Sequence, residues 1–325
     1  MRRTRVVLTG ATGFIGSATL RRLARLRDET GAAAPVFVSV VGRRLPARAA
    51  ALADDWTPAD LEEPGSLRGV CEGADVLLHL AASQSSDEAH GTAVNVHGTA
   101  ALMREAHRSG VRRIVHLSTA AVYGPGPHRG IGVDEVAPAP LSVPSRTRLA
   151  GEKHALAAGA CVLRPGLVLG HGDLWVVPAL ARLVTAVPAL WDGGRARVSM
   201  VAVEDLSRLI THIATASPLP GPGVWHASHP DPVTTGDLLA VLSRHIGLPA
   251  VSAELAWDEC RARLRASACG LSERQFALVA RDHWYDSREI WRRTDCDPGP
   301  GPLARVPESA SWYRALLALA PGHGR

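Results

Sequence analysis

The stretch TRVVLTGATGFIGSATLRRLARL, residues 4–26, contains a short apolar run, a glycine-rich turn and an Ala- and Arg-rich segment in that order. The apolar run predicts a strand and the last segment predicts a helix. Gly10 would permit a tight turn, Gly13 would let the backbone approach a pyrophosphate, and Gly16 would let the helix pack on the strand. The free N–H groups at the helix N-terminus would favour phosphate at the same place. This order of elements therefore predicts a dinucleotide-binding site.

The remainder of the 325 residues predicts an α/β protein. Residues 1–165 alternate short Val, Leu and Ile runs with helical segments, which is typical of βαβ units around a parallel sheet. From residue 166 onward, proline-rich connections and most of the tryptophans replace that alternation. We therefore predict a Rossmann-type doubly wound parallel sheet in residues 1–165. Residues 166–325 would form a smaller, irregular substrate-binding region that is interleaved with the first domain.

Composition argues against several classes of protein. The net charge of +5 is modest and the arginines are dispersed, so we expect no nucleic-acid partner. No apolar run approaches the roughly 20 residues that a membrane helix needs, and the basic start is too short to be a signal peptide. We expect a cytoplasmic protein without a membrane partner. The five scattered cysteines lack CxxC pairing, which indicates reduced thiols and no metal site.

Further motifs follow the glycine-rich turn. They are ADLEEPGSL from Ala59, LLHLAA from Leu77, NVHGT from Asn95, LSTAAVYG from Leu117, LRPGLVLG from Leu163 and VAVEDLSRLI from Val201. Together with GATGFIG at residues 10–16, they resemble the extended branch of the short-chain dehydrogenase/reductase family over roughly residues 5–245. The resemblance implies an enzyme with a nicotinamide dinucleotide cofactor and leaves about the last 80 residues unassigned.

The resemblance also implies which residues contact that cofactor. They are Gly10, Thr12, Gly13, Phe14, Ile15 and Gly16 at the pyrophosphate, Asp60 and Leu61 at the adenine, Leu80, Ala81 and Ala82 at the floor of the site, and Pro165, Gly166, Leu167 and Val168 beside the nicotinamide amide. In this setting His79 is expected to be a packed histidine at a strand end, not a catalyst. Asn95 is expected to tie a helix to its neighbouring strand.

The end of the second predicted strand, VFVSVVGRR at residues 36–44, bears on the choice of dinucleotide. Proteins that select NAD usually place Asp or Glu there, where the carboxylate binds the ribose 2′-hydroxyl. This chain has Gly42, Arg43 and Arg44 instead. Because a guanidinium can pair in bidentate fashion with a 2′-phosphate, we predict NADPH/NADP with Arg43 as the primary contact and Arg44 beside it. The alternative is that both arginines are merely solvated.

The catalytic motif of the family is incomplete. Thr119 stands four residues before Tyr123, where the family has the Ser or Thr that polarises the substrate carbonyl. The stretch TRLAGE, residues 147–152, matches the family helix and places Arg148 at its lysine position and Pro144 at its tyrosine position. Arg148 can donate to the ribose hydroxyls, but it cannot deliver a proton because arginine stays protonated above pH of about 12. The usual general acid is absent.

Three functions remain open. The first is an NADPH-dependent ketoreductase that reduces an aromatic polyketide of the angucyclinone type in antibiotic biosynthesis, as the resemblance to tyrosine-less ketoreductases implies. A phenolic hydroxyl beside the ketone would then activate the carbonyl, and Ser83, Trp175 and Trp191 would contact this small aromatic ketone. The alternative for Trp175 and Trp191 is that both are ordinary core aromatics of the second region. The second is a nucleotide-sugar epimerase or dehydratase, which lacks its base here. The third is a catalytically inactive dinucleotide-binding regulator. The family resemblance also allows a homodimer.

Overall fold

A computed structural model describes residues 3–30 and 36–319. The strands are β1 (Thr4–Thr9), β2 (Val36–Gly42), β3 (Asp55–Pro58), β4 (Val76–His79), β5 (Arg113–Leu117), β6 (His128–Ile131), β7 (Cys161–Arg164), β8 (Leu167–Leu169), β9 (Leu190–Trp191), β10 (Arg197–Val198), β11 (Met200–Ala202), β12 (Gly223–His226), β13 (Val233–Thr234), β14 (Glu254–Leu255) and β15 (His283–Tyr285). The α-helices are α1 (Phe14–Thr30), α2 (Ala47–Ala50), α3 (Glu88–Thr92), α4 (Thr99–Arg108), α5 (Val143–Ala157), α6 (Val176–Ala186), α7 (Val203–Thr215), α8 (Thr235–Ile246), α9 (Trp257–Ala266), α10 (Glu273–Ala280), α11 (Arg288–Thr294) and α12 (Pro302–Ala318). A π-helix, Ala93–Gly98, joins α3 to α4.

Seven parallel strands form the central sheet in the order β12-β7-β5-β4-β1-β2-β3. All four residues of β4 and of β7 are buried, as expected for strands that are covered by helices on both faces. The strand order reverses at β1, which pairs with β2 on one side and with β4 on the other. Such a switch point leaves a crevice at the carboxyl ends of the strands. The predicted Rossmann-type doubly wound α/β fold is confirmed.

The second half of the chain returns to the first in two places. The helix α7 packs on α1, and β12 adds a last strand to the central sheet by pairing with β7. In the other direction, β6 from the first half joins β15, β10 and β13 in a separate four-stranded sheet. A second apolar core lies between α6, α8, α9, α10 and α12. Each half of the chain, divided at residue 165, therefore contributes a strand to a sheet of the other half.

Two kinds of feature are absent from residues 3–30 and 36–319. Within these ranges no helix combines the length and the apolar character required to cross a bilayer. In the same part of the chain, no group of three or more His, Cys, Asp or Glu side chains is arranged to hold a metal ion.

Candidate functional site

A cavity of about 1020 Å³ opens where β1, β2 and β4 end. Its volume is at the upper end of the range of about 300–1,000 Å³ that is usual for ligand pockets. Of the predicted site residues, those that line it are Gly10, Thr12, Gly13, Arg43, Arg44, Asp60, Leu61, Leu80, Ala81, Ala82 and Ser83. Three more of the predicted contacts, Phe14, Ile15 and Gly16, form the first turn of α1 directly after Gly13.

The glycine-rich turn is closed by two tight approaches. Gly10 has φ of +77°, and a Cβ there would lie 2.6 Å from the backbone nitrogen of Ala81. A Cβ on Gly16 would overlap the carbonyl oxygen of Gly10, so α1 can pack this closely only without a side chain at that position. Gly10 and Gly13 both line the cavity. Glycine at positions 10 and 16 therefore lets β1, the segment after β4 and α1 come together at the cavity, and this glycine-rich turn fits a dinucleotide.

Two guanidinium groups lie at the rim of the cavity, after the end of β2. The side chain of Arg43 is 68% exposed, and its Nε is 4.0 Å from Oδ2 of Asp60. Arg44 is also exposed and lines the same cavity. The backbone before them is fixed, because the carbonyl oxygen of Gly42 accepts hydrogen bonds from Trp56 Nε1 at 3.2 Å and from Ala59 N at 3.3 Å. The arrangement offers two cations to an anionic group bound at this rim.

Ser118 and Thr119, the two residues that follow β5, differ in burial. Ser118 is buried and donates a short hydrogen bond to Glu152, whereas Thr119 is half-buried. The hydroxyl of Thr119 accepts a hydrogen bond from Ala121 N at 3.2 Å, which leaves its O–H available to donate. This difference agrees with the alternation of side chains that strand geometry requires.

Arg148 reaches the same end of β5 from α5. Its Nη2 donates to the carbonyl oxygen of Leu117 at 3.1 Å and to that of Ser118 at 2.7 Å. Its Nε is buried without a hydrogen-bond partner, and burial lowers the pKa of the guanidinium to about 10. Arg148 is not among the residues that line the cavity. Its bond to a cofactor ribose stays a prediction.

His79 is a packed histidine at the end of β4, as expected from the sequence. His79 is 0% exposed, and its ring nitrogens lie 2.8 Å from Thr9 Oγ1 and 2.9 Å from Thr99 Oγ1. Burial, with the nearby charge of Arg148, lowers the pKa of His79 to about 4. The residue is therefore a packed, neutral histidine.

Asn95 ties three segments together from within the π-helix. Its Oδ1 accepts from Ser83 N at 2.7 Å, and its Nδ2 donates to Ser83 O at 3.0 Å and to Thr147 Oγ1 at 2.9 Å. The first two bonds fix the segment after β4, and the third fixes α5. Asn95 thus holds Ser83, which lines the cavity, next to the helix that carries Arg148.

The tyrosine position of the family helix lies in the first turn of α5. Pro144 occupies it, after the N-cap residue Ser142, whose side chain accepts a hydrogen bond from Ser145 N. Proline suits this turn because its missing N–H would have no helical partner there. The three tyrosines of the chain, Tyr123, Tyr285 and Tyr313, are 1%, 6% and 0% exposed, and none of them lines the cavity.

Tyr123, the tyrosine of the VYG motif, is part of a buried polar network. Its hydroxyl lies 2.7 Å from His226 Nε2 and accepts a hydrogen bond from Arg164 Nη1 at 2.9 Å. Arg164 in turn forms two bonds with Glu152, at 3.0 Å from Nε and at 2.5 Å from Nη2. Burial raises the pKa of the Tyr123 phenol. Its hydroxyl is committed to this network.

The ion pair between Glu152 and Arg164 was not predicted from the sequence. Both side chains are almost fully buried, with 2% and 6% exposure. Removing one partner of such a pair leaves an uncompensated buried charge, so the pair joins α5 firmly to β7. The only sequence signal was the glutamate of TRLAGE, which the family helix shares.

Residues 165–168, the predicted nicotinamide contacts, follow the end of β7 and lead into β8. Gly166 N donates to Ser228 Oγ at 2.9 Å, and Leu167 and Val168 pair with β11. A Cβ on Gly166 would overlap the carbonyl oxygen of Ser199. Residues 165–168 therefore connect β7 to the second half of the chain and do not line the cavity.

The two tryptophans predicted to contact the substrate have opposite environments. Trp191 is 0% exposed, its Nε1 donates to Val187 O at 2.9 Å, and its ring packs edge-on against Phe276. The prediction for Trp191 is wrong, because the second apolar core encloses the ring completely. Trp175 is 72% exposed at the start of α6 and stays a predicted substrate contact.

Comparison with known proteins gives a family and a set of distant relatives. A family model described as the NAD dependent epimerase/dehydratase family matches residues 6–225. A ketoreductase of 4-hydroxy-2-methyl-3-oxo-4-farnesyl-3,4-dihydroquinoline-1-oxide from Stigmatella aurantiaca is 27% identical over 270 residues, covering 79% of this chain and 78% of that protein. A 3beta-hydroxysteroid-dehydrogenase/decarboxylase from Arabidopsis thaliana is 32% identical over 145 residues, which is 41% of this chain and 32% of that protein. The sterol demethylase protein B of Methylococcus capsulatus is matched over 36% of its length, so the chain spans about a third of these last two relatives.

Solved structures resemble the whole chain. A short-chain dehydrogenase/reductase superfamily protein from Agrobacterium tumefaciens with bound NAD has a TM-score of 0.72 and 19% identity, covering 97% of this chain and 98% of that one. The UDP-glucuronic acid 4-epimerase of Bacillus cereus in complex with NAD has a TM-score of 0.70 and 18% identity, covering 97% and 99%. At such identities the likeness shows the fold alone.

Proposed function

The chain belongs to the NAD dependent epimerase/dehydratase family, and from this premise we propose that it is an NADPH-dependent ketoreductase. Its substrate would be an aromatic polyketide of the angucyclinone type, reduced at a carbonyl during antibiotic biosynthesis. The reaction would proceed without a tyrosine as general acid. The observation that carries this proposal is a cofactor-sized cavity with two cations at its rim and no tyrosine in its lining.

The choice of NADPH is supported by charge. Arg43 and Arg44 follow β2 directly, where a protein that selects NAD would place a carboxylate. Both guanidinium groups are exposed and line the cavity, so a 2′-phosphate bound there would meet two hydrogen-bond donors of opposite charge. Asp60 lies beside Arg43 at 4.0 Å and can restrict its orientation.

The reduction itself needs little from the protein besides geometry. A reduced nicotinamide held at this cavity would supply the hydride for the carbonyl carbon. The O–H of Thr119 is free to donate to the carbonyl oxygen, because the same hydroxyl accepts from Ala121 N. The alkoxide that results would take its proton from water or from the substrate.

The missing phenol supports the proposed substrate class. A positioned general acid contributes about 10²–10⁴-fold to a rate, so its loss must be offset elsewhere. A phenolic hydroxyl next to the ketone offsets it, since the internal hydrogen bond polarises the carbonyl and stabilises the alkoxide. The relative from Stigmatella aurantiaca, a ketoreductase named for a quinoline substrate, supports ketone reduction in preference to sugar epimerisation. Epimerisation begins by removing a hydroxyl proton, for which the described residues offer no tyrosine base at the cavity.

The test uses the purified full chain with NADPH or NADH. Matched pairs of polycyclic ketones, with and without the peri-hydroxyl, are followed by loss of NADPH absorbance and by product mass. We expect turnover of the peri-hydroxylated ketones, at least about tenfold above that of their partners without the hydroxyl. Thr119→Ala should lower kcat and Thr119→Ser should restore much of it.

Two results would refute the proposal. Tight cofactor binding without turnover of any carbonyl would indicate the dinucleotide-binding regulator. Interconversion of nucleotide sugars, added as a third substrate class, would indicate the epimerase or dehydratase.

A further inference from the structure

We propose that residues 170–175 form the surface on which the planar rings of the substrate bind, and that Tyr313 of α12 is the residue that positions this surface. The inference rests on the proposed function, because it locates the substrate of that reaction. It also assigns a role to the end of the chain, which carries no recognised motif.

The 170–175 segment exposes two consecutive large apolar side chains. Leu174 is 54% exposed and Trp175 is 72% exposed. Single exposed apolar residues are common, but a tryptophan next to a leucine exposes a continuous apolar patch. A flat aromatic ligand would cover it, since aromatic rings stack favourably on an indole in addition to the gain from burying apolar area.

A buried carboxylate fixes the backbone that carries this patch. Asp173 is 1% exposed. It accepts hydrogen bonds from Trp175 N at 2.7 Å, from Val176 N at 2.8 Å and from Val177 N at 3.0 Å. These donors are N–H groups at the start of α6, which would otherwise lack partners. Trp175 therefore stands on a rigid helix end, although its side chain is exposed.

Two adjacent residues of α12 hold the segment from the other side. The hydroxyl of Tyr313 donates to Asp173 Oδ2 at 3.0 Å and accepts from Gly170 N at 2.7 Å. The ring of Trp312 packs against His171 with a centroid separation of 4.6 Å. One phenol thus connects Gly170 to Asp173, and α12 thereby fixes the backbone that carries Trp175.

The segment also packs on the cofactor turn. Gly172 has φ of +104°, and a Cβ there would lie 3.1 Å from Cδ2 of Phe14, the first residue of α1. Phe14 follows Gly13, which lines the cavity. Three residues of chain span at most about 10 Å, so Trp175 lies within about that distance of Gly172, although Trp175 does not itself line the cavity. The loop therefore joins the cofactor turn to α12.

The side chains of the segment favour an aromatic ketone. The exposed ones are His171, Leu174 and Trp175, while the only carboxylate, that of Asp173, is buried and satisfied. No guanidinium or ammonium group occurs between residues 170 and 175, so the imidazole of His171 is the only exposed side chain of this segment that could donate to the diphosphate of a nucleotide sugar. A fused, largely apolar ring system matches this surface.

The first test compares Trp175→Ala, Trp175→Phe and Leu174→Ala with a control, Leu219→Ala. Leu219 is 42% exposed in the connection between α7 and β12, so the control removes a similar apolar side chain elsewhere. With a peri-hydroxylated tetralone we expect Trp175→Ala to raise KM about tenfold, equivalent to about 1.4 kcal/mol. Trp175→Phe should recover most of this, and the Kd for NADPH should stay within about twofold in every variant.

The second test addresses Tyr313. Tyr313→Phe keeps the ring and removes only the hydroxyl, and Tyr285→Phe is the matched control in a different buried cluster. We expect Tyr313→Phe to raise KM for the tetralone several-fold while kcat stays nearly constant. A purely structural role would lower the melting temperature of Tyr313→Phe and leave its KM unchanged.

Binding measured without turnover separates this inference from the proposed function. Dihydroxyanthraquinone is titrated into the NADP-loaded protein, and quenching of tryptophan fluorescence is compared between the wild type and Trp175→Phe. Quenching that depends on Trp175, in a protein that reduces no ketone, would support this surface and refute the ketoreductase. Ketone reduction with an unchanged KM in Trp175→Ala would refute the surface alone. The absence of both turnover and Trp175-dependent quenching would refute the surface and the ketoreductase together.

Discussion

The Nη2 atom of Arg148 binds the last two carbonyl groups before Thr119. Thr119 is the residue expected to polarise the ketone. By binding the backbone just before it, Arg148 fixes the position from which the Thr119 side chain extends. A lysine has one nitrogen at the end of a flexible chain, whereas a guanidinium offers several donors in a plane. The arginine is therefore suited to hold the end of β5 in place, in addition to supplying a positive charge.

We expect Arg148→Met to lower the free energy of unfolding by about 1–3 kcal/mol, because two buried carbonyl groups lose their donor. The kcat for a peri-hydroxylated ketone should fall, and the Kd for NADPH should change little. Urea unfolding and cofactor titration measure the two effects. A loss of NADPH affinity of more than about tenfold would instead support the predicted contact with the ribose.

Arg43 determines cofactor choice if it meets a 2′-phosphate. Hydrogen bonds to charged groups contribute about 1.5–3 kcal/mol, so Arg43→Glu should weaken NADPH binding by about 10–100-fold. NADH affinity should change by less than about threefold, since NADH lacks that phosphate. Arg104→Glu on α4, also an exposed arginine, is the control for net charge. Equal losses for both cofactors would contradict the assignment.

At the level of elements, the turn between β1 and α1 shows what local sequence can predict. Its glycine spacing predicted the tight turn and the close helix, and the structure has both. The sequence could not predict that α7 packs on α1 or that β12 pairs with β7, because such contacts depend on partners far away in the chain. For the same reason the sequence did not show that Trp191 would be enclosed: its cover comes from α10.

Gly16→Ala tests the packing of this turn. The added methyl group would overlap the carbonyl oxygen of Gly10, and overpacking of this kind costs about 1–3 kcal/mol. We therefore expect a lower melting temperature together with weaker NADPH binding, because the shifted α1 would move the turn. Gly65→Ala is the control, since a Cβ at Gly65 has nothing within 4 Å. Unchanged stability and affinity in Gly16→Ala would show that the helix can move away at little cost.

Across the whole molecule, buried neutral histidines connect the two halves. His226 of β12 bonds to Tyr123, and His128 of β6 packs beside His283 of β15. Burial lowers the pKa of His79 and of His226 to about 4, and it also lowers the pKa values of His116, His128 and His283. In the unfolded chain these residues titrate near pH of about 6.5. Between the two pKa values the unfolded state binds more protons.

The contribution of these histidines to the free energy of unfolding should therefore be fully present above pH of about 6.5. It should decline as the pH falls toward about 4. His79 and His226 would each account for up to about 3 kcal/mol of that decline. Urea unfolding at several pH values measures it. His226→Gln should flatten the dependence, whereas His154→Gln, at an exposed position of α5, should leave it unchanged. A stability that rises on acidification would contradict the neutral, buried state of these rings.

The pairing of β12 with β7 has a consequence for synthesis. A ribosome delivers β7 well before β12, and it delivers α1 long before α7. During that interval the emerging polypeptide has an unpaired strand edge and an uncovered helix face, both of which favour association with other chains. We expect the nascent protein to depend on chaperones until translation has passed His226, and slower translation before that point should lower the yield of correctly folded material.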